Sequence, residues 1–164
     1  MNMNQIPMSI HQEDRPCVLL IDDELANRQT FAACFRRDFN VLLAADLNEA
    51  WSLLEHHNVH VVICDQRMPG VLGCEALRQI RDRYPQVRRM LITAYADLQA
   101  VVDALNQAGV CHYIQKPWEV QDVLIAVHKA HAEYKAESER SAYTEKLLEV
   151  NRQLEFALRQ SLLS

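Results

Sequence analysis

Apolar residues fall along the chain in short runs separated by longer stretches of helical spacing. "CVLLI" (17–21), "VLLAA" (41–45), "VVIC" (61–64), "RMLIT" (89–93) and "VCHYI" (110–114) are rich in Val, Ile and Leu with little polar alternation, the pattern of strands buried on both faces. Between them, residues 25–38, 47–57, 73–84 and 97–107 place apolar residues at helical spacing. Their ends are marked: Asp46 followed by Glu49 makes a capping box, and Gly109 is placed to end the fourth helix. Pro117 permits a fifth helix to start at about Trp118, and neither Pro nor Gly follows through Ser164. Five strands interleaved with helices predict an α/β fold, a doubly wound five-stranded parallel sheet with an extended C-terminal helix, because each parallel connection needs a helical crossover.

Ligands in that architecture sit beyond the carboxyl ends of the strands. The third run stops on a carboxylate, Asp65, before turning at Pro69 and Gly70, and the first ends "IDDE", with Asp22 and Asp23 at the same edge. Taken singly, each Asp reads equally well as a loop residue bonding its own backbone. Together they put three carboxylates on one rim, where each pair at ~4 Å costs on the order of several kcal/mol at an effective dielectric of ~20. A cation is wanted, and magnesium fits because it takes carboxylate, water and phosphate oxygens. The fourth run ends on Thr93, and Lys116 lies just beyond the fifth. Carboxylates, a hydroxyl and a lysine around one point make a site for a phosphoryl group and its metal.

Composition removes several other classes. The 164 residues are 49% hydrophobic and 24% charged with a formal net charge of -5, which suits one globular domain and argues against a general nucleic-acid binder. Five cysteines (Cys17, Cys34, Cys64, Cys74, Cys111) lack CxxC spacing, so neither a disulfide framework nor a zinc site is indicated; three of them lie in apolar runs and read as small core residues. The histidines, including His56, His57, His60, His128 and His131, lack the partners of a metal site and read as surface or boundary residues. No leader or membrane-spanning pattern occurs, so the expected location is the cytoplasm.

With these residues in hand, the sequence resembles the receiver domain of bacterial two-component response regulators. The resemblance rests on "DD" at Asp22 and Asp23, "D-x-x-M-P-G" from Asp65 to Gly70, "LITAYAD" with Thr93, and "YIQKPW" with Tyr113, Lys116 and Pro117, and covers about residues 16–130. It implies a flavodoxin-like receiver fold in which Asp65 is the phosphoacceptor for a phosphoryl group from a histidine kinase or phosphotransfer protein. It also implies Mg2+ held by Asp23, Asp65 and the backbone carbonyl of Arg67, with Asp22 acting mainly through water. Thr93 and Lys116 would contact the phosphoryl oxygens, Thr93 and Tyr113 would switch, and the Lys116 to Pro117 bond would be cis. The bulky Arg67 and Tyr95, two residues beyond Asp65 and Thr93, would border the route of the hydrolytic water and slow self-dephosphorylation. Such a protein is a phosphoacceptor switch rather than an enzyme. An aspartyl-nucleophile phosphatase commonly needs a second carboxylate two residues after the nucleophile, where this chain has Arg67. "LITAYADLQAVVDALNQAG" followed by "KPW" also resembles receivers that precede phosphodiesterase or transcription-activator domains, so the receiver as input module of a larger regulator stays open.

The expected organisation is a flexible N-terminal segment (1–15), a receiver domain (16–131) and a helical extension (132–164). The extension holds six acidic and five basic residues and, as one helix of balanced charge, cannot make a helix-turn-helix for DNA. Thr144, Asn151 and Leu158 at a, with Leu147, Leu154 and Ser161 at d, give a short coiled-coil register with Asn at a core position. Homodimerisation through this helix is therefore an expectation, beside a helix packed on its own receiver or a partly frayed terminus. Neither DNA nor a membrane is an expected partner.

Overall fold

The computed structural model describes residues 14–94 and 98–164. Five strands, β1 (Cys17–Ile21), β2 (Asn40–Ala44), β3 (Val61–Asp65), β4 (Arg88–Thr93) and β5 (His112–Gln115), alternate with α1 (Leu25–Phe35), α2 (Leu47–His56), α3 (Gly73–Arg83), α4 (Leu98–Gln107) and α5 (Val120–Leu163). The strands form one parallel sheet in the order β2-β1-β3-β4-β5, a flavodoxin-like, doubly wound topology with a long C-terminal helix. Side chains alternate across it with the strand period of two. Leu19, Ile21, Val62, Cys64 and Leu91 pack with Ala50 and Leu54 of α2 and Ala76, Leu77 and Ile80 of α3. Val18, Leu20, Ile63, Met90 and Ile92 pack on the other face with Phe31 and Phe35 of α1 and Val123 and Val127 of α5. Both faces of β1, β3 and β4 are thereby covered, which explains their nearly unbroken apolar runs.

The edges depart from the sequence pattern. β5 begins at His112 rather than at residue 110, and only Ile114 of its four residues is buried, because β5 has a neighbour on one side alone. α1 stops at Phe35, three residues short of the expected end, where Asp38 and Phe39 turn back to donate to the Phe35 carbonyl. Asp46 caps α2 by accepting from Glu49 N at 2.8 Å, but the reciprocal bond runs from Ala45 N to Glu49, one residue earlier than a capping box requires. Gly109 adopts φ +58, a conformation that disfavours side chains, and turns the chain out of α4 toward β5.

Far from the acidic rim, α5 is tied to the amino end of the sheet. Arg88 pairs with Glu133 at 2.6 Å, Tyr134 donates to Asn58 at 3.2 Å, and Lys135 pairs with Asp14. The expectation of surface histidines fails here: His131 is buried, with its ring 4.6 Å from that of His60. Cys17 N donates to His60 Nδ1 at 2.9 Å, so that nitrogen keeps its lone pair and the ring is neutral. Beyond this girdle α5 continues unbroken, and every residue from Ala142 to Ser164 is exposed.

Burial, then the neighbouring His60 and Lys135, hold His131 down to about 4 against the opposing pull of Asp14, and burial followed by Lys135 lowers His60. A folded-state value below the unfolded one means that the unfolded chain takes up the proton first. Stability is therefore full above the ordinary imidazole value of 6.5 and declines as pH falls toward about 4. Melting temperatures measured between about pH 7 and about pH 4 should fall more steeply for the wild type than for His131→Phe. Equal slopes would contradict a neutral, buried His131.

Candidate functional site

Parallel pairing puts the carboxyl ends of β1, β3 and β4 side by side, with Ile21 opposite Cys64 and Asp65 opposite Ile92. Asp22 and Asp23 leave β1 as Asp65 ends β3, and one carboxylate oxygen from each of the three lies within 4.8 Å of the others. Asp22 and Asp65 are buried and Asp23 is exposed. Asp22 is fixed by its own loop: Glu24 N donates to Oδ1 at 2.9 Å and Asn27 Nδ2 to Oδ2 at 3.1 Å, while Arg28 holds its backbone carbonyl at 2.8 Å. A carboxylate so held keeps lone pairs for a metal or its waters, and the cluster's donor set is the all-oxygen one magnesium takes.

Lys116 Nζ stands 3.0 Å from Asp65 Oδ1 and forms an ion pair with it. Lys116 N donates to Thr93 O, and the next peptide, Lys116 to Pro117, is cis. Trp118 anchors the following residues against α1, 5.5 Å from the Phe35 ring and 6.2 Å from Phe31. Burial pushes the Asp65 carboxyl above its usual range; the Lys116 hydrogen bond and charge oppose that rise, and Asp22 and Asp23 add to it. Thr93 is buried at the end of β4 and donates to Ala94 O at 3.2 Å. Tyr113, two residues before the Gln115 that pairs with Thr93, is 46% exposed and directed outward. Arg67 is exposed in the loop after β3. Tyr95 lies outside the described residues.

The structure adds residues that the motifs did not single out. Gln66 is buried behind Asp65, where its side-chain oxygen accepts from Cys74 N at 2.9 Å and its backbone carbonyl from Gly73 N at 2.9 Å. These bonds lock the end of β3 to the first turn of α3. Gly73 permits it: a Cβ there would lie 2.3 Å from Asp65 O. A glycine at a predicted helix start, where propensity disfavours it, was the available signal.

This geometry has known counterparts. Residues 18–128 match the family described as "Response regulator receiver domain". Hydrogenase transcriptional regulatory protein HoxA of Cupriavidus necator is 36% identical over 113 residues, 69% of this chain and 23% of that protein. HoxA of Bradyrhizobium diazoefficiens is 34% identical over 122 residues, 74% of this chain and 25% of that one. The signal receiver domain of an HD domain-containing protein from Pseudomonas fluorescens superposes with a TM-score of 0.73 at 30% identity, covering 77% of this chain and 94% of that domain. The chain belongs to the response regulator receiver family and carries a two-component receiver domain. It matches about a quarter of the length of the two HoxA regulators. No helix among the described residues is long and apolar enough to cross a membrane.

Gly73→Ala should push the Asp65 backbone out of place and cost about 1–3 kcal/mol, an overpacking effect. Chemical denaturation measures that loss. A variant as stable as the wild type would show that the Asp65 carbonyl gives way freely.

Proposed function

We propose that Asp65 is the phosphoacceptor of this receiver, taking a phosphoryl group from a histidine kinase or phosphotransfer protein and passing the signal on through protein–protein contacts, including pairing of copies through the α5 extension. The observation that carries the reading is the meeting of three carboxylates with Lys116, 3.0 Å from Asp65, at the ends of adjacent strands. Asp23, Asp65 and the Arg67 carbonyl would hold Mg2+, with Asp22 behind them. Bound there, the cation would offset the repulsion between the carboxylate and the incoming phosphoryl oxygens. Asp65 attacks phosphorus through a carboxylate oxygen, the bond to the donor breaks, and an aspartyl phosphate is left. Lys116 exchanges its ion pair with Asp65 for one with the phosphoryl oxygens, and Thr93 gives up Ala94 O to donate to them. The inward move of Thr93 makes room for Tyr113 to leave its outward position, so the surface around β4 and β5 changes shape. The reading is of a cytoplasmic switch comprising a receiver (16–131) and a helical extension (132–164), with no part for DNA or membrane binding. A receiver that serves as the input module of a larger regulator is the second reading, favoured by the greater length of the HoxA relatives.

Incubation with acetyl phosphate and Mg2+ should add one phosphate to the intact mass, and Asp65→Asn or chelation of the metal should abolish the addition. Persistence of the adduct in either case would reject Asp65 as the acceptor. Once formed, the phosphate should be long-lived, because Arg67 and Tyr95 are large side chains beside the route of the hydrolytic water. Replacing both by Ala should speed its loss by several-fold; an unchanged half-life would place the barrier elsewhere.

A further inference from the structure

The exposed end of α5 presents more apolar surface than pairing of two helices covers. In the register with Leu147 and Leu154 at d, only Leu158 is apolar at a, beside Thr144 and Asn151. Three leucines per chain fall short of the roughly three to four apolar heptads that mark a sustained two-stranded coiled coil. Yet the flanks of this seam are mostly apolar too. Leu148 and Leu162, 56% and 84% exposed, occupy e positions on either side of Glu155, and Tyr143, Val150 and Ala157 occupy g. At 3.6 residues per turn these side chains and the seam between them span about half the helix circumference, a face wider than a coiled-coil seam and suited to the core of a bundle. Phe156 and Leu163 lie outside that arc.

Charge narrows the occupant. Residues 142–164 carry three acidic side chains (Glu145, Glu149, Glu155) and three basic ones (Lys146, Arg152, Arg159). Arg152 and Glu149 already pair within the helix at 3.0 Å. A neutral segment of this kind selects neither a strongly acidic nor a strongly basic partner, and its copies do not repel one another. The face also begins where contact with the receiver ends, since α5 passes without a break from the girdle at Glu133, Tyr134 and Lys135 into the exposed segment.

We propose that the α5 extensions of four copies of this chain associate as a four-helix bundle, with Leu147 and Leu154 in its centre and Leu148 and Leu162 closing the contact between adjacent helices. This rests on the reading of the extension as the surface of self-association and sets its stoichiometry. Each helix of a square bundle touches two neighbours and so buries e and g positions that a two-stranded coil leaves in water.

Sedimentation equilibrium of the full chain should give a tetramer. Leu148→Glu combined with Leu162→Glu should reduce it to a dimer, and Leu147→Glu combined with Leu154→Glu to a monomer. All three proteins should take up one phosphate from acetyl phosphate with Mg2+, which shows that the receiver remains folded. A wild-type dimer indifferent to the Leu148 and Leu162 changes would overturn the bundle and leave two-helix pairing standing. A monomeric wild type would overturn both, and a tetramer that survives the Leu148 and Leu162 changes would overturn the bundle by moving the contact to another surface.

Discussion

Asp65 ends a strand in which every residue is buried, and an ionised carboxylate there has lost most of the water that would solvate it. Lys116 at 3.0 Å restores part of that solvation, but burial and the two neighbouring carboxylates outweigh it, so the folded carboxyl holds its proton more tightly than an exposed one. Folding is correspondingly favoured on the acid side of the usual carboxylate range and penalised above it. The surrounding structure keeps this costly arrangement from relaxing. Gln66 ties the strand end to α3, Trp118 pins the segment after Lys116 to α1, and Asn27 and Glu24 hold Asp22 in place. Added positive charge would stabilise the ionised cluster against this repulsion.

Much of this was legible in the sequence because the relevant signals are short-range or set by topology. β1 was readable to the residue from "CVLLI", since a central parallel strand is apolar on both faces. Asp22, Asp23, Thr93 and Lys116 could be gathered at one rim because parallel strands all deliver their carboxyl ends to the same side. The edge strand was less legible: "VCHYI" looks like the other runs, and only the sheet order shows that His112 and Tyr113 face outward. Packing between distant segments left no periodic signature at all. His60 and His131 lie 71 positions apart and meet because α5 crosses the end of β3, so His131 becomes part of the interior with the half-buried His60 beside it. The close approach of Gly73 to Asp65 is similarly a fact of backbone proximity that side-chain patterning does not encode.

The two ends of the sheet are built on opposite electrostatic logic. At the carboxyl end, charges are concentrated and partly unbalanced, leaving the site responsive to a ligand. At the amino end, Arg88 with Glu133 and Lys135 with Asp14 are matched pairs, and the imidazoles between them are neutral. Half-exposed pairs of this kind add little stability singly, at about 0–1 kcal/mol, but several placed around one helix restrict its direction. The long helix is thus joined to the receiver at the end of the sheet opposite the acidic cluster.

That junction makes α5 a mechanical element. From Lys135 to Leu163 it extends roughly 42 Å at ~1.5 Å per residue, with its fulcrum at the girdle and its far end in solvent. A tilt of only about 5° at the fulcrum would carry the tip through roughly 4 Å, more than two residues' rise along a helix, so sub-ångström adjustments at the receiver are geared up to the scale on which side chains in neighbouring helices exchange partners.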